Sequence, residues 1–256
     1  MRVSFFEEYP TAENFDKLTL IDFETTIYLA AKSLKDFYRY INPYTVRSYL
    51  RFVYWPILPE SYWISPFSCS YELDNLINEL GHRDNITDRL CVLLDLELPI
   101  LNKKLFFINL FSFLKNKRII RKVFSSGENL NISIVTAEYP VSSSFMKCIN
   151  EALGISYPLS RFNHRKILMF YTSMLGNKKV EKVRDYIMRL PDSIKKDLSI
   201  GLGTIATGAL GDEPLLPPSA LSEDLKFLEN NGIEESVIFR LGGLNRDYLK
   251  VIKKYL

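Results

Sequence analysis

Histidine is scarce in this chain: His82 and His164 are the only two in 256 residues. That excludes a histidine-rich metallohydrolase centre and confines any histidine-based triad to one of two positions. His82 closes a helical stretch and His164 precedes an apolar run, so both read as structural or exposed. Cysteine is thin as well. Cys69, Cys91 and Cys148 are too few and too scattered for a disulfide framework or a four-thiolate zinc site. Charge of one sign is not in excess: 33 Lys and Arg against 30 Asp and Glu leave +3, which argues against nucleic-acid binding by bulk charge. No apolar run is long enough to cross a bilayer. The greasiest, Leu105–Leu114, is about half the required length. Glu7 and Glu8 cut off the N-terminal apolar run before it could serve as an export signal. The expected setting is a reducing cytoplasm, and no cofactor or dedicated metal motif stands out.

What is present is a rhythm. Eight short, apolar, β-branched runs alternate with helical patterns: Arg2–Glu8, Thr25–Ala31, Leu50–Trp55, Leu90–Glu97, Ile132–Tyr139, Lys166–Thr172, Leu198–Thr204 and Ser236–Leu241. Runs such as Cys91-Val92-Leu93-Leu94 are apolar without alternation, as parallel strands buried on both faces are. Between them, Ser33 serves as an N-cap with Asp36 in the first turn. Ser70 precedes a helix whose Leu73, Leu76, Ile77 and Leu80 recur at helical spacing and which Gly81 ends. Ser219 or Ser222 opens a helix closed by Gly232, and Asn245 caps the last one. Eight strand–helix units in about 250 residues predict a (β/α)8 TIM barrel, here one domain over residues 1–256. An open doubly wound sheet would normally carry a glycine-rich turn after its first strand, and Glu7-Glu8-Tyr9-Pro10 is not one.

Barrel active sites lie at the C-terminal strand ends. Carboxylates gather there on strands one (Glu7, Glu8), four (Asp95, Glu97) and five (Glu138). Asp95 and Glu97 are two residues apart and so share a strand face. Close together, they should repel, leaving one protonated near neutral pH, and a raised acid beside a charged partner is what glycoside hydrolysis uses. The competing reading is a buried ion pair with Arg240 from strand eight. A lesser one is an oxygen-only Mg²⁺ site from Glu8, Glu97 and Glu138.

Asp95-Leu96-Glu97 on strand four, with Met169-Phe170-Tyr171 on strand six, resembles the chitinase-type barrel of glycoside hydrolase family 18. That family ends strand four in Asp-x-x-Asp-x-Asp-x-Glu and strand six in Met-x-Tyr-Asp. The resemblance implies that Glu97 is the general acid, that Asp95 orients the substrate's acetamido group as the internal nucleophile, and that Tyr171 hydrogen-bonds that group. Leu90 and Leu93 stand where the family has aspartates, Thr172 follows the tyrosine, and Leu241-Gly242-Gly243 ends strand eight without the family's tryptophan.

The loop after strand three, residues 54–67, holds both tryptophans and Pro56, Pro59 and Pro66. Tyr54, Trp55 and Trp63 are expected either to stack on a sugar, together with Glu8 and Arg240 as substrate contacts, or to form an apolar lid. Gly201, Gly203 and Thr204 after strand seven, with Gly242 and Gly243 after strand eight, fit a backbone anion site and, with it, a sugar-phosphate isomerase, epimerase or lyase. The helical stretch 101–124 is apolar on more than one face. That surplus points to a homo-oligomer contact, or secondarily to a membrane-surface contact. The leading expectation is a carbohydrate-active enzyme with a small-molecule or glycan substrate. A non-catalytic barrel that binds a glycan or a partner is the alternative from outside enzymology.

Overall fold

Eight parallel strands close into a barrel in chain order, β1 to β8, in a computed structural model that describes residues 1–82, 89–127, 130–141 and 143–256. The strands are β1 (Arg2–Glu7), β2 (Thr25–Ala31), β3 (Leu50–Pro56), β4 (Leu90–Asp95), β5 (Ile132–Glu138), β6 (Arg165–Met169), β7 (Leu198–Gly203) and β8 (Glu235–Phe239). Closure is made by β1 against β8, with Phe5 beside Ile238, while the other side of β1 sets Phe5 beside Ile27 of β2. Among the described residues the surrounding helices are α1 (Ala12–Asp16), α2 (Leu34–Ile41), α3 (Ser70–Gly81), α4 (Lys104–Ile108), α5 (Phe113–Ser126), α6 (Ser144–Leu153), α7 (Asn177–Met188), α8 (Asp192–Lys195), α9 (Pro218–Asn230) and α10 (Arg246–Ile252). None is long and apolar enough to cross a membrane.

Strand alternation divides the core into two layers. One set of side chains, including Phe6, Tyr28, Leu93, Val135, Ile167 and Val237, fills the barrel interior. The other set, including Phe5, Ile27, Val92, Ile134, Leu202 and Ile238, packs outward under the helices. Each fully buried Leu, Ile, Val or Phe contributes about 1.5–3 kcal/mol relative to exposure.

The caps follow the local chemistry. The Ser33 hydroxyl accepts from the Asp36 N–H, and Asn245 accepts from the N–H groups of Asp247 and Tyr248. Three helical stretches differ from the sequence reading. α3 starts at Ser70 itself, after Cys69, and Gly81 is its last helical residue rather than its terminator. The Ser70 hydroxyl is engaged instead by Asn116, 2.8 Å away. α9 begins at Pro218, ahead of both serines, because proline suits a first turn whose N–H would be unpaired anyway. The stretch 101–124 is two helices, not one. Asn109 donates to the Phe67 carbonyl at 2.9 Å, and the rings of Phe106 and Phe113 both pack on Phe67, bending the chain around that side chain.

Candidate active site

The inward phase of the alternation carries past the strand ends to the barrel mouth. There a cavity is lined by Glu8 after β1, Trp55 on β3, Trp63 from the next loop, Asp95 and Glu97 at β4, Tyr139 after β5, Tyr171 after β6, Thr204 after β7 and Phe239 on β8. A further carboxylate, Glu213, comes down from the β7–α9 loop. No Lys, Arg or His is among the described residues that line it. The cavity is small, about 60 Å³. It shares Tyr139, Met169, Tyr171 and Met174 with an adjoining groove of about 470 Å³.

Asp95 ends β4, and Glu97 follows in a tight turn in which the Glu97 N–H meets the Asp95 carbonyl at 3.2 Å. Leu96 keeps the ladder going by donating to the Ala137 carbonyl at 3.0 Å and turns its own side chain outward. Asp95 and Glu97 are therefore both directed inward although only Asp95 lies on the strand. The Ile64 N–H donates to the Asp95 carbonyl at 2.9 Å, so the aromatic loop is tied to the strand that carries the acids. Trp55 and Trp63 are both buried. Trp55 meets Phe6 edge-on at 5.6 Å within the barrel, and Trp63 meets Tyr62 edge-on at 5.0 Å. The loop is a packed lid that contributes Trp63 to the cavity.

Burial governs the electrostatics. Removal from water pushes Glu97 up to about 8, with Glu8 raising it further and the Tyr139 side chain working the other way. Asp95 is raised well above the usual aspartate range by burial and by the adjacent Glu97, with Trp55 opposing. Burial also pushes Glu8 up to about 8, helped by Asp95. Burial holds both carboxyl groups toward their neutral forms, and the adjacent Glu97 pushes Asp95 further the same way. Glu8 Oε2, Asp95 Oδ1 and Glu213 Oε2 are buried with no hydrogen-bond partner among the described residues. Buried oxygens are normally satisfied. Three orphans around one cavity make a set of polar groups suited to a hydroxyl-rich ligand.

Several of the expected site residues lie elsewhere. Glu138 points outward, into the layer between barrel and helices. Its carboxylate meets Lys166 Nζ at 2.7 Å and accepts from Thr136, Ser156 and the Tyr157 N–H. An Mg²⁺ site built from Glu8, Glu97 and Glu138 is therefore not assembled. Among the described residues no group of three or more His, Cys, Asp or Glu is arranged to hold a metal ion. Tyr54 also faces outward, packing on Phe37 at 5.3 Å with its hydroxyl 3.3 Å from Glu79. Arg240 does not pair with Asp95. It meets Glu7 at 3.1 Å, donates to the Thr207 carbonyl at 2.9 Å and stacks on Tyr9.

The glycines on the upper part of β7 and after β8 serve packing. A Cβ on Gly243 would fall 2.0 Å from the Ile205 carbonyl oxygen, and one on Gly203 3.0 Å from that of Phe239. Gly201 approaches the β6 backbone and Tyr171 in the same way. The N–H groups an anion would need are taken: Gly242 donates to Glu7 Oε2 at 2.7 Å, Thr204 to Ser173 Oγ at 2.9 Å, and Gly243 to the Arg240 carbonyl at 3.1 Å. The Gly203–Thr204 and Phe239–Arg240 peptide bonds, at the tops of β7 and β8, are cis.

Tyr139 and Glu213 are the polar cavity residues that strand-end reasoning left out of the site. Tyr139 stands one position beyond Glu138, so its signal was present and the alternation phase decided between the two. Glu213 lies nine residues past Thr204, where only the loop's return places it. That return is fixed by the Thr204 hydroxyl donating to the Pro214 carbonyl at 2.5 Å and the Leu216 N–H to the Thr204 carbonyl at 2.7 Å. It passes over Gly208, where a Cβ would stand 2.7 Å from Glu8 Oε2.

No family model matches the chain, and no curated protein matches it in sequence. Solved structures do match in backbone. A glycoside hydrolase family 18 chitinase from Pseudoalteromonas aurantia is similar over 100% of both chains, with TM-score 0.66 and 9% identity. The PgaB (BpsB) glycoside hydrolase domain from Bordetella bronchiseptica covers 97% of this chain and 95% of its own, with TM-score 0.57 and 13% identity. A chitinase from Chromobacterium violaceum covers 99% and 98%, with TM-score 0.57 and 10% identity. At these identities the likeness is one of fold.

Proposed function

We propose that this barrel cleaves a glycosidic bond, with Glu97 as the proton donor. The observation that carries the reading is the Asp95–Glu97 pair at the end of β4, both carboxyls raised by burial, in a cavity where Glu8 and Glu213 each add an oxygen with no hydrogen-bond partner among the described residues. A carboxyl group held neutral at pH 7 can protonate a leaving oxygen. In the reading that the family 18 resemblance implies, Asp95 orients an acetamido group that attacks in place of a protein nucleophile, with Tyr171 as its hydrogen-bond partner. Tyr171 is buried at the cavity beside Asp95 and fits that role. The fold shared with two chitinases supports a carbohydrate substrate. Glu8, Glu213 and Thr204 line the same space and would take the sugar hydroxyls, with Trp55 and Trp63 as its apolar wall. The small cavity admits the reacting group, and the adjoining groove would hold the rest of the glycan.

A sugar-phosphate reading is weaker here. The candidate anion N–H groups are occupied, Arg240 is held by Glu7, and the cavity is lined by acids.

Glu97→Gln tests the proposal against a panel of aryl and N-acetylated glycosides. General acid catalysis is worth about 10²–10⁴-fold, so turnover should fall by that factor with ligand binding retained. Undiminished turnover refutes the role of Glu97. A wild-type chain that binds a glycan but turns none over would make this a binding barrel instead.

A further inference from the structure

From Leu98 to Gly127 the sequence carries seven basic residues and not one acidic residue, within a chain of net charge +3. The same segment exposes its largest apolar side chains. Phe111 is 97% and Phe107 80% exposed, and Ile108, Leu110 and Leu114 are exposed beside them. The protein's own core does not claim these groups. α5 already buries Ile119, Ile120 and Val123 on its inner face, and the turn between α4 and α5 is held by Asn109 and the Phe67 rings with its apolar tip outward. Lys115 pairs with Asp74, and Lys117 donates to the carbonyls of Glu151 and Ala152. Lys103, Lys104, Arg118, Arg121 and Lys122 have no ion pair among the described residues. Leu114, Arg118 and Lys122 recur every four residues, which places them along one side of α5, with Phe111 in the turn that leads into it. The segment begins at the mouth, where Ile100 lines the cavity.

We propose that this segment docks the mouth of the barrel on a lipid bilayer surface bearing anionic headgroups. Exposed aromatic and aliphatic side chains inserted at the acyl boundary, flanked by basic residues at headgroup level, form the standard interfacial anchor. Lysine and arginine suit the flank because their stems lie along apolar surface while their charges stay in water. Each basic residue near an anionic leaflet adds to the attraction. Charge sign argues against a second copy on this face. A two-fold contact would set the basic segment against its own duplicate, with no acid on either side to offset it. Protein–protein interface cores also exclude lysine. The proposal does not depend on the glycosidase reading.

Vesicle sedimentation of the whole chain tests it, with phosphatidylcholine alone and with phosphatidylglycerol added. The chain should pellet with the mixed vesicles, less so at high salt, and stay in solution with phosphatidylcholine alone. Lys103→Glu with Lys104→Glu, and separately Phe107→Ser with Phe111→Ser, should each weaken partitioning at least about tenfold. All four side chains are exposed, so the circular dichroism of both variants should match wild type. Failure to pellet with the mixed vesicles, or pelleting that neither pair of substitutions changes, overturns the proposal. So does a concentration-dependent dimer in light scattering that Phe107→Ser with Phe111→Ser dissolves.

Discussion

Glu7 and Glu8 are neighbours in sequence and opposites in environment. Glu7 is enclosed by Arg240, Asn14 and the N–H groups of Tyr9 and Gly242, which satisfy both of its oxygens. Glu8, on the other face of the strand end, keeps an unpartnered oxygen in the cavity. The cost of such residues falls on stability. Glu8 and Glu97, pushed up to about 8, hold protons in the folded chain that an unfolded carboxylate, near pKa 4.3, has released. Their contribution to stability is therefore full below about pH 4 and is lost as pH rises through about 8. Glu97→Gln removes one such group. By calorimetry its melting temperature should match wild type near pH 4 and exceed it by a few degrees above pH 8. A variant less stable than wild type at high pH would contradict the burial argument. Catalysis by a protonated Glu97 should likewise fall as pH rises past about 8. Asp95, Glu97, Trp55, Tyr171 and Glu8 were legible as mouth residues because each stands at or just past the end of an apolar run. Glu138 and Tyr54 met the same criterion and face the helices instead. On a strand apolar on both sides, composition does not reveal which alternate set faces inward.

Between elements, the buried Glu138–Lys166 pair joins β5 to β6 under the helix layer. Glu138→Ala would leave Lys166 with an uncompensated buried charge and take the acceptor from Thr136, Ser156 and the Tyr157 N–H. The expected loss is about 3–5 kcal/mol in urea unfolding, with turnover per folded molecule unchanged. A variant of normal stability and abolished turnover would return Glu138 to the chemistry. Helix ends follow the same division between local and distant causes. Ser33 and Asn245 cap as their sequences indicate because a cap is settled within three residues. The break between α4 and α5 was illegible because its cause, Phe67, lies some forty residues upstream.

Across the whole molecule the two ends of the barrel do different work. At the floor, Glu235 is buried and accepts from Ser4 at 2.6 Å, from Ser199 at 3.0 Å and from Arg165, drawing β8, β1, β7 and β6 together. Arg165 is half exposed, which screens its share of the interaction. Glu235→Ala should cost about 2–3 kcal/mol, read as a lower urea midpoint, and leave KM unchanged, since the mouth is at the opposite end. A changed KM with the midpoint kept would place the floor in communication with the site.

The sequence by itself determined the number of strands, their order and most of their limits, because apolar runs, glycines and caps act over a few residues. Only the closed barrel decided which face of each strand turns inward, set Arg240 on Glu7, and brought Glu213 from a distant loop to Glu8 and the Asp95–Glu97 pair. Those outcomes depend on register around all eight strands and on the return path of a loop, and neither is a local property of the chain.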